Sequence, residues 1–175
     1  GGVVFSDDLL AIASTFADVG GIVGAGAVYL FRVEDNGTVT ELSKLTVPGG
    51  ASTNDRFGTI AISGDTLILG GYDPGGTYPQ SNLEKVFVYQ LEDNGTATLT
   101  HQLAPFQNTA WEAFGNAVAV SDNLIAVGAW ASAPNGKPYA GTVYLYRLED
   151  NGTVTQLAKL DAPDGAPYDS YGVML

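Results

Sequence analysis

The chain has 175 residues, of which 45% are hydrophobic and only 15% charged, with 23 Gly and 8 Pro, a composition typical of one turn-rich domain built from short strands. Its 19 acidic and 7 basic residues give a net charge of −12, which would repel phosphate backbones and anionic lipids, so we expect no nucleic-acid partner. Cys is absent, which excludes disulfides and thiolate metal sites, and no apolar run approaches the roughly 20 residues of a membrane span, so we expect no membrane insertion.

One sequence unit recurs every 57 or 58 residues. The stretches Ala25–Leu45 and Ala140–Leu160 are identical at 16 of 21 positions. Two short motifs mark the copies: an aromatic–Gly pair at Phe57, Phe114 and Tyr171, and the pentapeptide EDNGT at Glu34–Thr38, Glu92–Thr96 and Glu149–Thr153. This spacing divides the chain into units 1–56, 57–113 and 114–170, with 171–175 beginning a further copy.

Each unit carries the signals of four strands, here in the letters of the second copy. FGTIAIS predicts a first strand, which a tight polar turn joins to an apolar second strand, TLILGG. A longer loop leads to the third strand, VFVYQLE, and an Asn-Gly turn joins it to the fourth, TATLTHQL. Asn-Gly between strands predicts a type I′ turn with positive φ at both residues. No segment has a convincing helical period.

These signals predict an all-β fold, a β-propeller-type array of about three four-stranded antiparallel blades. A blade cannot bury both of its faces alone, so successive blades are expected to lie face to face around an axis. The aromatic–Gly pair would place an aromatic ring between blades, beside a Gly that allows close backbone approach. Because closed propellers need four to eight blades, three blades form an incomplete ring.

The strings RFGTIAISGDTLILGG and AFGNAVAVSDNLIAVGA, each followed by a strand like VYLYRLEDNGT, resemble FG-GAP repeats. These are the blade units of the integrin α-chain head and of many bacterial surface proteins. The resemblance implies a propeller fold and an extracellular or cell-surface, secreted location. Integrin-type blades often carry a D-x-D-x-D-G calcium loop, but here that turn reads only SGD, SDN or SDD. Two side-chain oxygens cannot supply six to eight calcium ligands, so we expect no metal and no cofactor.

The Asn of each EDNGT copy also satisfies the N-x-T acceptor pattern for N-glycosylation, at Asn36, Asn94 and Asn151. The same residues are required by the hairpin. A turn role alone and a turn role with glycosylation both remain open.

The sequence gives little support to an enzyme. His101 is the only His, and its counterparts are Ser43 and Ala158, so a triad or His metal cluster would depend on one outer-strand residue. The recurring carboxylate pairs, such as Glu34 and Asp35, are adjacent on a strand and point to opposite sides, which makes them poor acid–base partners. We expect no catalytic residue.

Antiparallel strand order places the short turns at one end of each blade and the long 2–3 loops and 4–1 connections at the other. The long connections differ between copies and carry many aromatic residues, as binding surfaces do. The candidate ligand- or partner-binding residues are Tyr72, Tyr78, Trp111, Trp130, Tyr139 and Tyr168. The alternative is that several of these rings fill space between neighbouring blades.

The predicted function is a non-enzymatic extracellular or cell-surface adhesion, recognition or scaffolding module that binds a protein or glycan through this face. One alternative is a structural subunit that assembles into a fibre or closed oligomer through exposed blade faces. A second is an accessory propeller of a secreted enzyme. Further blades of a longer chain, or copies of the same chain, are the expected partners of the end blades.

Overall fold

The computed structural model describes residues 2–71, 85–105 and 112–175, which form twelve strands and one short 3-10 turn at Pro134–Gly136. The strands are β1 (Val3–Ser6), β2 (Leu9–Ser14), β3 (Ala27–Val33), β4 (Val39–Leu45), β5 (Thr59–Ser63), β6 (Thr66–Gly70), β7 (Val86–Leu91), β8 (Ala97–Leu103), β9 (Phe114–Ser121), β10 (Leu124–Ala129), β11 (Thr142–Leu148) and β12 (Val154–Asp161). No helix within these ranges is long and apolar enough to cross a membrane.

The strands form three separate four-stranded sheets in chain order, β1–β4, β5–β8 and β9–β12, and every neighbouring pair is antiparallel. We call these sheets blades 1, 2 and 3. The first strands lie side by side, β1 next to β5 and β5 next to β9, as they do around a propeller axis. The predicted all-β array of three antiparallel blades is confirmed, and none of the described sheets closes on itself.

Two hydrophobic cores lie between the blades, one at each junction. In β6 the side chains alternate: Leu67 and Leu69 face the core shared with blade 1, and Ile68 faces the core shared with blade 3. All three side chains are fully buried. A strand covered on both faces needs apolar residues at every position, which explains the continuous run TLILG. The outer strand β8 is largely exposed and correspondingly polar.

Two of the aromatic–Gly pairs, at Phe57 and Phe114, place their rings at the seams between blades. Phe57 is fully buried and meets Phe87 edge to face, with ring centroids 5.8 Å apart. Phe114 is also fully buried and meets Tyr144 in the same way at 5.4 Å. Gly26 comes so near the backbone of Phe57 that an added Cβ would lie 2.2 Å from its carbonyl oxygen. The seam therefore depends on a backbone approach that only Gly permits.

The EDNGT turns differ from the predicted type I′ geometry. In blade 1 the Gly37 N–H donates to the Glu34 carbonyl, the Glu34 N–H donates to the Thr38 carbonyl, and φ is positive at Gly37 but not at Asn36. This is a three-residue loop with Gly in the left-handed region. Asn36 instead accepts the Thr38 N–H through Oδ1 at 2.7 Å, so its side chain stabilises the turn from outside.

Buried tyrosines predict a loss of stability at alkaline pH. Burial raises the pKa of Tyr89 to about 12 and also raises the pKa values of Tyr144 and Tyr146. Tyrosines of the unfolded chain ionise near pH 10, so between pH 10 and 12 the unfolded state loses protons that the folded state retains. Each such tyrosine should lower the free energy of unfolding by about 1.4 kcal/mol per pH unit in this window.

Urea unfolding at pH 9, 10 and 11 checks this expectation. The Tyr89→Phe variant removes one ionisable group and should show a shallower decline above pH 10 than the wild type. Parallel declines for the two proteins would show that Tyr89 ionises equally in both states.

Candidate functional site

In blades 1 and 3 the 2–3 loop and the 4–1 connection, which together we call the loop face, lie at the opposite end of the blade from the short turns. In blade 1 the Val33 N–H donates to Asp8 O at 2.8 Å, which joins the end of β3 to the 1–2 turn. At the other end the Phe57 N–H donates to Ala25 O at 3.1 Å, which joins the 4–1 connection to the 2–3 loop. The two long connections of blade 1 therefore meet at this end of the blade.

The loop face of blades 1 and 3 has the same backbone pairing. In blade 1 the Asn54 N–H donates to Val23 O at 2.9 Å, and the next bond goes from the Arg56 N–H to Gly24 O at 3.1 Å. The corresponding bonds in blade 3 are from Tyr168 to Pro138 and from Ser170 to Tyr139, both 3.0 Å. By this register Tyr168 occupies the position of Asn54, and Tyr139 occupies that of Gly24.

These paired positions require a left-handed backbone. The φ angles are 61° at Gly24 and 63° at Asn54 in blade 1, and 55° at Tyr139 and 71° at Tyr168 in blade 3. Gly and Asn adopt this conformation readily, whereas a bulky residue pays about 1–2 kcal/mol for it. The backbone thus demands positive φ but does not demand tyrosine. Blade 3 carries two strained aromatics where blade 1 carries the residues that fit best.

The strained tyrosines belong to an aromatic stack. The Tyr139 and Tyr168 rings have centroids 5.5 Å apart and planes inclined by 16°. The ring centroids of Trp130 and Tyr139 are 5.9 Å apart, and their planes are inclined by 24°. Tyr168 is 72% exposed, whereas Trp130 and Tyr139 are half-buried. The stack therefore presents Tyr168 to solvent and supports it from beneath.

Three of the six predicted binding residues are brought together by this arrangement, Trp130, Tyr139 and Tyr168. The other three, Tyr72, Tyr78 and Trp111, lie outside the described residues. That the stack binds a ligand stays a prediction at this point.

Polar groups surround the stack. Lys137, two residues before Tyr139, donates from Nζ to Gly165 O at 2.5 Å, and Asp169, next to Tyr168, accepts the Ala166 N–H at 2.6 Å. The Lys137 bond ties the 2–3 loop to the 4–1 connection, and the Asp169 bond closes a turn within the 4–1 connection. A cavity of about 40 Å³ lies between the 2–3 loop and the end of β12, lined in part by Asn135, Lys137 and Asp161 and by none of the three stacked rings. It has room for about one water molecule and not for a ligand.

Sequence reasoning missed an acidic residue two positions before each aromatic–Gly pair, at Asp55, Glu112 and Asp169. Asp55 is fully buried and accepts the Ser52 N–H at 2.5 Å, as Asp169 does with Ala166. Glu112 is 3% exposed and accepts the Tyr144 hydroxyl at 2.5 Å. The signal was present as a repeated acid-x-aromatic-Gly motif. The acidic residue of this motif fixes the 4–1 connection or its end.

The three N-x-T asparagines lie in exposed turns at the short end, away from the loop face. Each uses Oδ1 to accept the N–H of the Thr two residues later, at 2.7–3.0 Å. Glycosylation of Asn36, Asn94 and Asn151 stays a prediction.

Two other concave regions offer less specific chemistry. An open apolar groove of about 340 Å³ runs along the first strands and is lined by residues such as Val4, Ile60 and Val118. A cavity of about 200 Å³ at the short-turn end is lined by five carboxylates and by Arg32, which pairs with Asp8 at 2.9 Å. In the described part of the chain no three His, Asp or Glu side chains are placed to hold a metal ion.

Residues 102–146 match the family model described as an FG-GAP repeat. The matched segment runs from β8 through the blade 2–blade 3 seam to β11. It therefore includes Phe114, Trp130 and Tyr139. No curated protein matches the sequence.

Solved structures with the same fold are larger. The chain is similar to the periplasmic gluconolactonase PpgL of Pseudomonas aeruginosa, with 13% identity and a TM-score of 0.60 over 94% of this chain and 40% of that one. It is also similar to a protein from Lactobacillus plantarum, with 15% identity and a TM-score of 0.57 over 90% of this chain and 40% of that one. A europium-containing methanol dehydrogenase has 14% identity and a TM-score of 0.55, over 100% of this chain and 26% of that one. This chain thus spans at most 40% of their lengths, and the likeness concerns the fold.

Proposed function

Because residues 102–146 match an FG-GAP repeat and the chain folds as a blade array of the propeller type, we propose that it is a non-enzymatic recognition module. Its ligand binds at the loop face, on the stack of Trp130, Tyr139 and Tyr168. We further propose an extracellular or cell-surface location, which is typical of FG-GAP repeats. Turnover of a substrate by these 175 residues alone would contradict the non-enzymatic role.

One observation carries the proposal: two tyrosines are held at positive φ where blade 1 has Gly24 and Asn54. Strained residues persist where the surrounding structure holds them, and they concentrate at binding sites. The two stacking contacts contribute about 0.5–1.5 kcal/mol each, which is comparable with the strain of about 1–2 kcal/mol at each tyrosine. Gly and Asn would give the same backbone without this strain, so the backbone does not explain the tyrosines, whereas a ligand that contacts their rings would.

Exchanging Tyr168 for the blade 1 residue provides the sharpest test. Tyr168→Asn relieves the backbone strain and removes the exposed ring, so the midpoint of thermal unfolding should change by less than about 3 °C. Binding should weaken at least tenfold, as it does when a central aromatic contact is lost. The measurement is binding of the wild type and the variant to a glycan array and to a peptide display library.

The matched control is Phe16→Ala, which removes another aromatic from the loop face, in the 2–3 loop of blade 1. Phe16 is 68% exposed and contacts Arg56 rather than the stack, with the guanidinium 5.1 Å from the ring. Its removal should leave binding unchanged. Equal binding by Tyr168→Asn and the wild type, to every ligand found, would contradict the proposal.

A second candidate function is supported by the apolar surface at the end blades. Val3 and Phe5 on β1 are 59% and 64% exposed, and Met174 and Leu175 are 84% and 50% exposed. Self-assembly into a fibre or closed oligomer would cover these side chains. Light scattering over a range of protein concentrations distinguishes this role, since only self-assembly raises the apparent mass of the particles with concentration.

An accessory role beside the catalytic domain of a secreted enzyme is compatible with either candidate.

A further inference from the structure

We infer that the ligand of the stack is an uncharged sugar of the pyranose type, with the exposed ring of Tyr168 as its platform. This inference rests on the proposed recognition function and names the chemical class of the ligand. It is drawn from the shape of the stack, from the charge around it and from the exposure of Tyr168.

The shape of the stack favours a flat ligand surface. The ring planes are inclined by only 16° and 24°, so the rings form a column and do not converge around a point. A cage for an organic cation needs several ring faces directed at the cation, whereas this column offers the outer face of Tyr168. The face of an aromatic ring is electron-rich and attracts the weakly positive C–H groups on one side of a pyranose ring.

The charge around the stack disfavours anionic ligands. Asp164 and Asp169 lie in the same 4–1 connection as Tyr168, and Asp161 ends β12 immediately before it, within a chain of net charge −12. The nearby cation, Lys137, donates to Gly165 O. Carboxylates accept hydrogen bonds and cannot donate them, so this rim suits the hydroxyl donors of an uncharged sugar. Phosphorylated, sulfated or carboxylated ligands would be repelled.

The exposure of Tyr168 indicates a ligand that lies across the surface. Its side chain is 72% exposed, so a sugar that contacts this ring stacks on its solvent-facing side. A linear oligosaccharide suits this geometry better than a single sugar, because it gains further contacts along the loop face.

The test uses the 175-residue chain and defined hexasaccharides: the glucose series with β-1,4, β-1,3 and α-1,4 linkages, β-1,4-mannohexaose and chitohexaose. Hexagalacturonate, which is anionic, is the matched charged probe. Isothermal titration gives the affinities, and saturation-transfer NMR identifies the sugar protons near the aromatic rings. At least one uncharged hexasaccharide should bind at least tenfold more tightly than hexagalacturonate. Tyr168→Asn should lose at least tenfold in affinity, and Tyr168→Phe should stay within threefold of the wild type.

The outcomes separate this inference from the proposed function. If no uncharged hexasaccharide binds, or one binds equally to Tyr168→Asn, the sugar assignment is overturned. If instead a peptide from the display library binds and is lost in Tyr168→Asn, the sugar assignment fails while the recognition role stands. If neither sugars nor peptides depend on Tyr168, both fail.

Discussion

The Gly26→Ala variant should unfold far more easily than the wild type, because the added Cβ has no space at the first seam. Gly26 has a φ of 84°, and the new Cβ would lie 2.2 Å from the Phe57 carbonyl oxygen and 2.5 Å from its nitrogen. Both obstructing atoms belong to the backbone, so only separation of the 2–3 loop from the next blade relieves the clash. Strain from φ and overpacking together should cost about 3 kcal/mol or more.

Gly21→Ala is the matched control for this variant. Gly21 lies in the same 2–3 loop with the same φ of 84°, but no atom lies within 4 Å of its added Cβ. It should cost only the backbone strain, about 1–2 kcal/mol. Chemical denaturation of both variants measures the difference. Equal losses of stability would show that the Gly26 approach does not hold blades 1 and 2 together.

The Phe114→Ala variant should lose about 3–5 kcal/mol of unfolding free energy, the usual cost of truncating a fully buried Phe. The Phe114 ring is inaccessible to solvent and contacts both Tyr144 and Tyr146 edge to face, at 5.4 and 6.4 Å. Its loss leaves a cavity in the core between blades 2 and 3. Stability should fall with little change in the number of strands, since no backbone hydrogen bond is removed.

Phe16→Ala serves as the control here as well. Phe16 is exposed and contributes only its contact with Arg56, so its loss should cost at most about 1 kcal/mol. Thermal unfolding followed by circular dichroism compares the two variants. A Phe114→Ala protein as stable as Phe16→Ala would contradict a seam built on the aromatic–Gly pair.

The blade fold could be predicted from sequence because its signals are local and written several times. The 57-residue period, the alternation of strands and turns, and the aromatic–Gly pairs each point to the same four-stranded unit. The details of the EDNGT turn could not be read in the same way. Asn36 was expected at positive φ, but its side chain accepts the Thr38 N–H instead and Gly37 alone takes the left-handed conformation.

The candidate site was only partly predictable for a different reason. Aromatic residues in long loops pointed to this face, but their stacking depends on how the 2–3 loop pairs with the 4–1 connection. That pairing places Tyr139 and Tyr168 at positive φ, against the ordinary preference of aromatic residues. Local propensity therefore argues against the conformation that brings the rings together. The acidic residue before each aromatic–Gly pair was overlooked because isolated carboxylates are common on the surface of an acidic chain.

The most direct measurement is amide chemical-shift mapping of the ¹⁵N-labelled protein with the glycan or peptide that binds most tightly in the array experiments. Recognition by the stack predicts the largest shifts in residues 130–141 and 162–171, together with a shift of the Trp130 indole N–H. Shifts centred on the short turns around Asp7, Gly64 and Asp122, or on the apolar groove along the first strands, would place binding elsewhere and contradict the account.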